Sequence, residues 1–328
     1  MKLSQTIETE YASVNPKTQK EILYNNKNVE NLLDVLQNWL EKSVSAMAIQ
    51  LIEFMNKKEK AYVKENVRKI PFTQEDISGL CIEMQKIAQK KIPSINLDRI
   101  TNAGFFLTEL IHIHYQKTKT KSPYILLLED LPKLDHVGTY LQNAHINIFG
   151  STGDYTGYGM ISGSLTIFGN TRSDTGSSME NGLIHVKGNT LDFCGANMHD
   201  GIILIDRDAG CNSGQGMQNG YLKIDGNAEN NLGYESSGGI IVVNGNCTNE
   251  AGYLKNGGTL VVKGNAGITL GREMRKGTII VEGNTDECAG DFALGGTIIV
   301  DGKIKSISST CRSITNKLKI YEAGKEIR

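Results

Sequence analysis

Glycines recur in this chain on a ruler of nineteen residues, and that spacing restricts the fold more than any other feature. Gly150, Gly169, Gly188, Gly226, Gly245, Gly264, Gly283 and Gly302 share one phase, broken only at Arg207. Gly157, Gly176, Gly195, Gly214, Gly233, Gly252, Gly271 and Gly290 share a second phase without exception. A third holds Gly163, Gly182, Gly201, Gly220, Gly239, Gly258, Gly277 and Gly296. A fixed period near twenty marks a stacked repeat, in which each copy buries its apolar face only against its neighbours.

Each copy carries one short alternating segment between glycines. Its two aliphatic positions are Leu165/Ile167, Ile184/Val186, Ile203/Ile205, Leu222/Ile224, Ile241/Val243, Leu260/Val262, Ile279/Val281 and Ile298/Val300. A spacing of two puts both side chains on one face of a β-strand, and that face must point at a core. One strand per copy, with no partner strand for a hairpin, predicts a parallel β-helix of 19-residue coils, right-handed by the usual chirality of parallel crossovers. Eight or nine coils at about 4.8 Å each would make a rod of roughly 40 Å.

The residues around the glycines read as bends. The second-phase glycines, Gly157 to Gly290, are expected at positive φ, which glycine adopts without steric cost. Asn follows the first-phase glycine at Asn170, Asn189, Asn227, Asn246, Asn265 and Asn284. Gly-Asn is a turn signal, because Asn tolerates the left-handed region and bonds its own turn. Small residues two places past the first-phase position (Thr171, Thr190, Ala209, Ala228, Cys247, Ala266, Thr285) suit an inner corner. Met160, Met179, Met198, Met217 and Met274 share a further phase, where a flexible thioether fills an irregular gap.

The first third of the chain has a different period. Val29, Leu32, Leu33, Leu36, Trp39 and Leu40 form one helical stripe. Ala48, Leu51, Ile52, Met55, Tyr62, Val63 and Val67 form a second, ended by Pro71. Thr73 and Asp76 have capping-box spacing ahead of Ile77, Leu80, Cys81, Met84, Ile87 and Ala88. A fourth stripe, capped by Asn96, carries Ile100, Leu107, Leu110, Ile111 and His114. Residues 1 to about 27 are polar and read as an extended arm or a short helix, and KTKTKSP (117–123) as a basic linker. The expected organisation is a small helical domain over 1–122 and a β-helix over 123–328, a mixed fold class. Gly138 lies one period before Gly157, so a degenerate coil precedes the regular ones. At the far end Leu318 and Ile320 fall one residue out of step.

Lys and Arg number 35 against 36 Asp and Glu, a net charge of −1. That balance implies no field for nucleic acid or a membrane surface. No apolar run reaches the ~20 residues of a membrane helix, and the N-terminus carries no signal-peptide core, so a cytoplasmic location is expected. Six cysteines include no CxxC pair, and those of the repeat sit in different phases, which reads as free thiols with no metal. His112 and His114 are two apart on a helix and do not share a face. Gly157-Tyr-Gly159 and Gly214-Gln-Gly216 do not open a strand–helix unit, so no nucleotide site is expected. No catalytic residue and no cofactor stand out.

The outward strand positions show one trend. Leu204, Val242, Val261, Ile280 and Ile299 turn apolar toward the C-terminal coils. A patch of that kind is normally covered. The helical domain packing there is one expectation, and a protein partner or homodimer face is the other.

The repeated Gly-x6-Gly-x5-Gly text over residues 124–305, with its Asn170-type turns and Met160-type positions, resembles the glycine-rich β-helix at the C-terminus of the glutamate synthase large subunit. It is also similar to the glycine-rich β-helical subunit of formylmethanofuran dehydrogenase and of the related formyltransferase/hydrolase complex. In those families the β-helix is a structural domain or supporting subunit without catalytic residues, so the resemblance implies no site residues here. It implies a non-catalytic scaffold that presents a rigid β-helix for protein–protein interaction. The alternative it implies is a supporting subunit of an amidotransferase or formyltransferase-like complex.

Overall fold

In the computed structural model, residues 24–42, 49–90, 100–310 and 317–327 are described. Among these residues four helices come first: α1 (Asn26–Lys42), α2 (Ile49–Val67), α3 (Gln74–Lys90) and α4 (Ala103–Thr118). Twelve strands follow, joined in one sheet whose spatial order equals their chain order. They are β1 (Tyr124–Leu127), β2 (His145–Phe149), β3 (Ser164–Phe168), β4 (Leu183–Val186), β5 (Ile202–Ile205) and β6 (Tyr221–Ile224), then β7 (Ile240–Val243), β8 (Asn256–Val262), β9 (Lys276–Val281), β10 (Gly296–Val300), β11 (Leu318–Glu322) and β12 (Lys325–Glu326). Strands β1 to β11 pair in parallel, and β12 turns back antiparallel on β11. This is the parallel β-helix that the glycine period demands. Its sheet holds about ten turns, a rod of roughly 48 Å, longer than the eight or nine coils counted from the regular glycines. The two extra rungs come from the irregular coils at either end.

Those end coils depart from nineteen. Tyr124 pairs with Ile146, and Gly296 pairs with Leu318. Ile320 therefore sits over Ile298, three residues beyond the regular repeat rather than one. Between them every aliphatic pair steps by nineteen, so the pairs stack directly and are fully buried from Leu165 to Val300.

Two turn readings change. The asparagines after the first-phase glycines are not left-handed and do not bond their own turn. Each offers its Oδ1 to the next coil instead. The amides of Asn189, Asp208, Asn227, Asn246, Asn265, Asn284 and Lys303 donate in turn to Asn170, Asn189, Asp208, Asn227, Asn246, Asn265 and Asn284 at 2.7–3.0 Å. The glycine beside each Asn is required by close approach. A Cβ on Gly264 would stand 2.4 Å from Asn246 Oδ1 and 2.6 Å from the Gly245 carbonyl oxygen. The second-phase glycines do lie at positive φ, between 67° and 71° from Gly157 to Gly290. The small corner residues are buried, and Ala209, Ala228, Cys247, Ala266 and Thr285 form a second line of parallel bridges outside the sheet strands.

The five column methionines are fully buried. Their column is interrupted at Ser236 and Lys255, which occupy the same phase and are equally buried.

The helices do not pack along the sheet. They cap its first rung. Strand β1 leaves an edge of unpaired carbonyls, a surface that must be covered or blunted. Helix α3 covers it: Ser78 Oγ donates to the Ile125 carbonyl at 2.7 Å, and Gln85 Nε2 to the Leu127 carbonyl at 2.9 Å. Thr73 and Asp76 form the expected capping box, with Thr73 N–H to Asp76 Oδ2 at 3.0 Å and Asp76 N–H to Thr73 Oγ1 at 3.3 Å. Helix α4 starts later than its stripe suggests, after a 3-10 turn at Ile100–Asn102, with Asn102 at the N-cap. Asn96, most of the polar arm, and the side chains at Ala48, Leu51, Ile52 and Met55 lie outside the described residues. Leu36, Trp39, Leu80, Phe106 and Leu110 join Leu126, Ile146 and Leu165 in one continuous core, so helices and coils share an interior.

Candidate functional site

The outward face of the sheet is the first candidate surface. Val242, Val261, Ile280 and Ile299 stand side by side in register, and Tyr321 extends the row. All four aliphatics are half-buried by their strand neighbours alone. Leu204 is set apart from them by Lys223, whose ammonium reaches Asp225 at 2.8 Å. Ile240, on the same face, is 46% exposed. The expectation that the helical domain covers this row is overturned. Among the described residues the helices reach the β1 end alone, where an open strand edge and the apolar first rung both need covering.

The second candidate is a groove of about 1070 Å³ where α2, α4 and the first coil meet. Lys57, Lys60 and Lys64 line it from α2, a spacing of three and then four residues that places them on one helix face. Helix α4 contributes Glu109, His112 and Tyr115, with Lys119 at its C-cap, and the first coil contributes Tyr140, Gln142 and Asn143. His112 Nδ1 lies 3.1 Å from Glu109 Oε1, and Lys60 Nζ lies 3.4 Å from the same oxygen. Lys60 also sits 5.3 Å from the centre of the Tyr140 ring, and Lys119 lies 5.2 Å from that of Tyr115. Burial pushes the Glu109 carboxyl up. The hydrogen bond and charge of His112 and the charge of Lys60 outweigh it, so the carboxyl titrates below its usual range and stays ionised. The other imidazole nitrogen, His112 Nε2, is buried without a hydrogen-bond partner.

None of these groove residues was singled out as a site by the sequence reading. The Glu109–His112 spacing of three and the lysine spacing of three and four are present in the sequence, but nothing there shows that the first coil walls a groove over them.

Burial pushes the Cys81, Cys194 and Cys247 thiols up to about 12, which leaves them inert. Asp192, Cys211 and Glu229 bring three ligand-type atoms within 4.8 Å of one another. Burial and the hydrogen bond to Glu229 both push the Cys211 thiol up, against the thiolate a metal would want. Asp192 Oδ1 already accepts the Cys211 amide at 2.8 Å, as Asp154 Oδ1 accepts the Ser173 amide two coils earlier. Gly157-Tyr-Gly159 and Gly214-Gln-Gly216 are left-handed positions of the stacked turns. His112 and His114 diverge as expected, His114 Nδ1 meeting the Tyr124 hydroxyl at 2.8 Å. His185 bonds Asp206 across coils at 2.7 Å. Among the described residues, no helix is long and apolar enough to cross a membrane.

Compared with known proteins, the chain matches no family model and no curated protein.

Proposed function

We infer that this protein is a structural, non-catalytic scaffold whose rigid β-helix presents its outward sheet face to a protein partner. The observation that carries this reading is the in-register apolar row of Val242, Val261, Ile280 and Ile299, left uncovered by the helices. Sheet strands bonded on both sides cannot rearrange to hide such a row, and among the described residues no helix covers it, which favours another chain as its cover. The aliphatic row favours a partner with an apolar surface of its own, and the flanking Lys223–Asp225 pair gives the face a polar rim. The likeness of the glycine text to the β-helix of glutamate synthase and of formylmethanofuran dehydrogenase supports the same role, since there the β-helix supports a site made by other domains or subunits. A cytoplasmic setting is consistent with buried, unpaired thiols.

The test is a comparison of the wild-type chain with a Val261→Lys/Ile280→Lys variant. Light scattering after size exclusion and quantitative affinity purification are run on both. The reading expects either a stoichiometric partner or a second copy on the wild type, lost in the variant while its thermal melt is kept. A wild-type monomer that recovers the same proteins as the variant in the same amounts would sink it.

A further inference from the structure

The groove between α2, α4 and the first coil has a composition that the scaffold reading does not use. Four lysines line it, against the single carboxylate of Glu109, in a chain whose overall charge is −1. Glu109 is not free to balance them, since one oxygen already serves both His112 and Lys60. Among the described residues, no carboxylate lies within ion-pair distance of Lys57, Lys64 or Lys119. Like charges gathered on one wall repel, and folding tolerates them at little cost only in solvent. Lys57, Lys64 and Lys119 are exposed around the mouth and Lys60 is half-buried, so solvent tolerates the cluster, while α4 and the first coil wall its inner side and direct its field into the groove. The rest of the lining supplies the other half of a small-molecule site: the Tyr115 and Tyr140 rings for a planar or apolar body, and the Gln142 and Asn143 amides for orientation. The size falls in the range of small-ligand clefts, and a domain junction is a usual place for one.

We propose that this groove binds a small phosphate-bearing anion, with the phosphates held by Lys57, Lys60, Lys64 and Lys119 and the remainder of the molecule against Tyr140. Lys60 is the oriented member, fixed by Glu109 on one side and the Tyr140 ring on the other. Lys57, Lys64 and Lys119 act as point charges around the mouth. A nucleic-acid strand is the disfavoured occupant: its backbone needs a long basic track, whereas here the lysines converge on one concavity. The site is independent of the sheet face, which lies on the coils beyond it.

The experiment is calorimetric titration of the full chain with three probes: inorganic phosphate, tripolyphosphate and a twenty-nucleotide single-stranded DNA. One tripolyphosphate per chain is expected, tighter than phosphate and weakened by salt. A Lys57→Gln/Lys64→Gln/Lys119→Gln variant, whose changed side chains lie at the groove mouth, should lose at least about tenfold in affinity. A Lys187→Gln/Lys305→Gln control on distant coils should bind like the wild type. No tripolyphosphate binding, equal binding by the triple variant and the control, or DNA bound more tightly than tripolyphosphate would each overturn the proposal. Circular dichroism and thermal melts of both variants separate loss of the site from loss of the fold.

Discussion

Lys255 Nζ donates to Ser236 Oγ at 3.0 Å inside the β-helix, with both residues fully buried in the column that other coils fill with methionine. The pair spans one coil and replaces two thioethers with an ammonium and a hydroxyl. Burial alone lowers the Lys255 pKa to about 8, and among the described residues no carboxylate answers it. A buried charge with one neutral partner is costly to keep.

Lys255→Met should therefore stabilise the chain, since methionine is what the neighbouring coils use at that position. The pH dependence gives the sign. The unfolded chain keeps the proton to about pH 10.4, whereas the folded chain releases it near 8. The penalty is full below pH 8 and lifts as pH rises from 8 toward 10.4. At full strength it is on the order of 3 kcal/mol. Urea or thermal melts from pH 7 to 10 should show wild type gaining on the variant as pH rises. Parallel curves would refute a charged Lys255 in the core.

His136 sets an acid limb by the same cause, the burial of a basic group. Its ring stacks on Tyr155 with centroids 5.0 Å apart, and burial lowers its pKa to about 4 against the pull of Asp154. The unfolded chain takes up the proton near 6.5, so the contribution is complete above that pH and is lost as pH falls toward 4. A His136→Phe variant, which keeps a stacked ring, should lose less stability than wild type between pH 6.5 and 4. Denaturant midpoints across that window provide the comparison, and identical slopes for the two proteins would count against a neutral buried His136.

Gly195 and Gly214 share a backbone conformation but not a neighbourhood. Their φ values are 67° and 70°. A Cβ on Gly214 would meet Ile241 Cδ1 at 2.5 Å, whereas on Gly195 the nearest atom, Ile203 Cδ1, is 3.3 Å away. Alanine at either site carries the left-handed penalty of about 1–2 kcal/mol. Gly214→Ala should add an overpacking cost of about 1–3 kcal/mol. Gly195→Val and Gly233→Val should also destabilise strongly, because a β-branched residue is costly at positive φ. Melting temperatures within a degree of each other for the two alanine variants would show that φ alone requires these glycines.

The asparagine ladder offers a local test. Asn246 Oδ1 accepts the Asn265 amide at 2.7 Å. Asn246→Ala removes that acceptor at a solvent-exposed turn, at a cost of about 1 kcal/mol. Asn246→Asp should cost less, because Asp208 already fills the equivalent slot and accepts the Asn227 amide at 2.7 Å. Hydrogen exchange at the Asn265 amide reads this directly: faster in the alanine variant, near wild type in the aspartate variant. Unchanged protection with alanine would remove the ladder from the account of stability.

Much of the fold was readable from residue spacing, and the candidate sites much less so. The pairs from Leu165/Ile167 to Ile298/Val300 announced their strand and its buried face, since a short period forces like residues onto like positions. The left-handed Asp174, Phe193, Asn212, Asn231, Glu250 and Thr269 gave no such signal. Their conformation comes from the next coil: the Asp174 amide donates to the Asp192 carbonyl, and the Asn212 amide to the Asn230 carbonyl, both at 2.9 Å. The first-phase glycines and their asparagines announced a turn but concealed its purpose, which is contact between coils.

The nineteen-residue text was enough to dictate a column of coils with an aliphatic interior, because burial in a repeat is a property of one copy and its identical neighbours. Where the helices would go was open until the chain was assembled in three dimensions. They settle on β1, where unpaired carbonyls and an apolar end both needed covering; among the described residues that choice leaves the row from Val242 to Ile299 half-buried and sets Lys57, Lys60 and Lys64 along a groove. Period is a local quantity, but an uncovered face and a shared cavity exist only between elements distant in the chain.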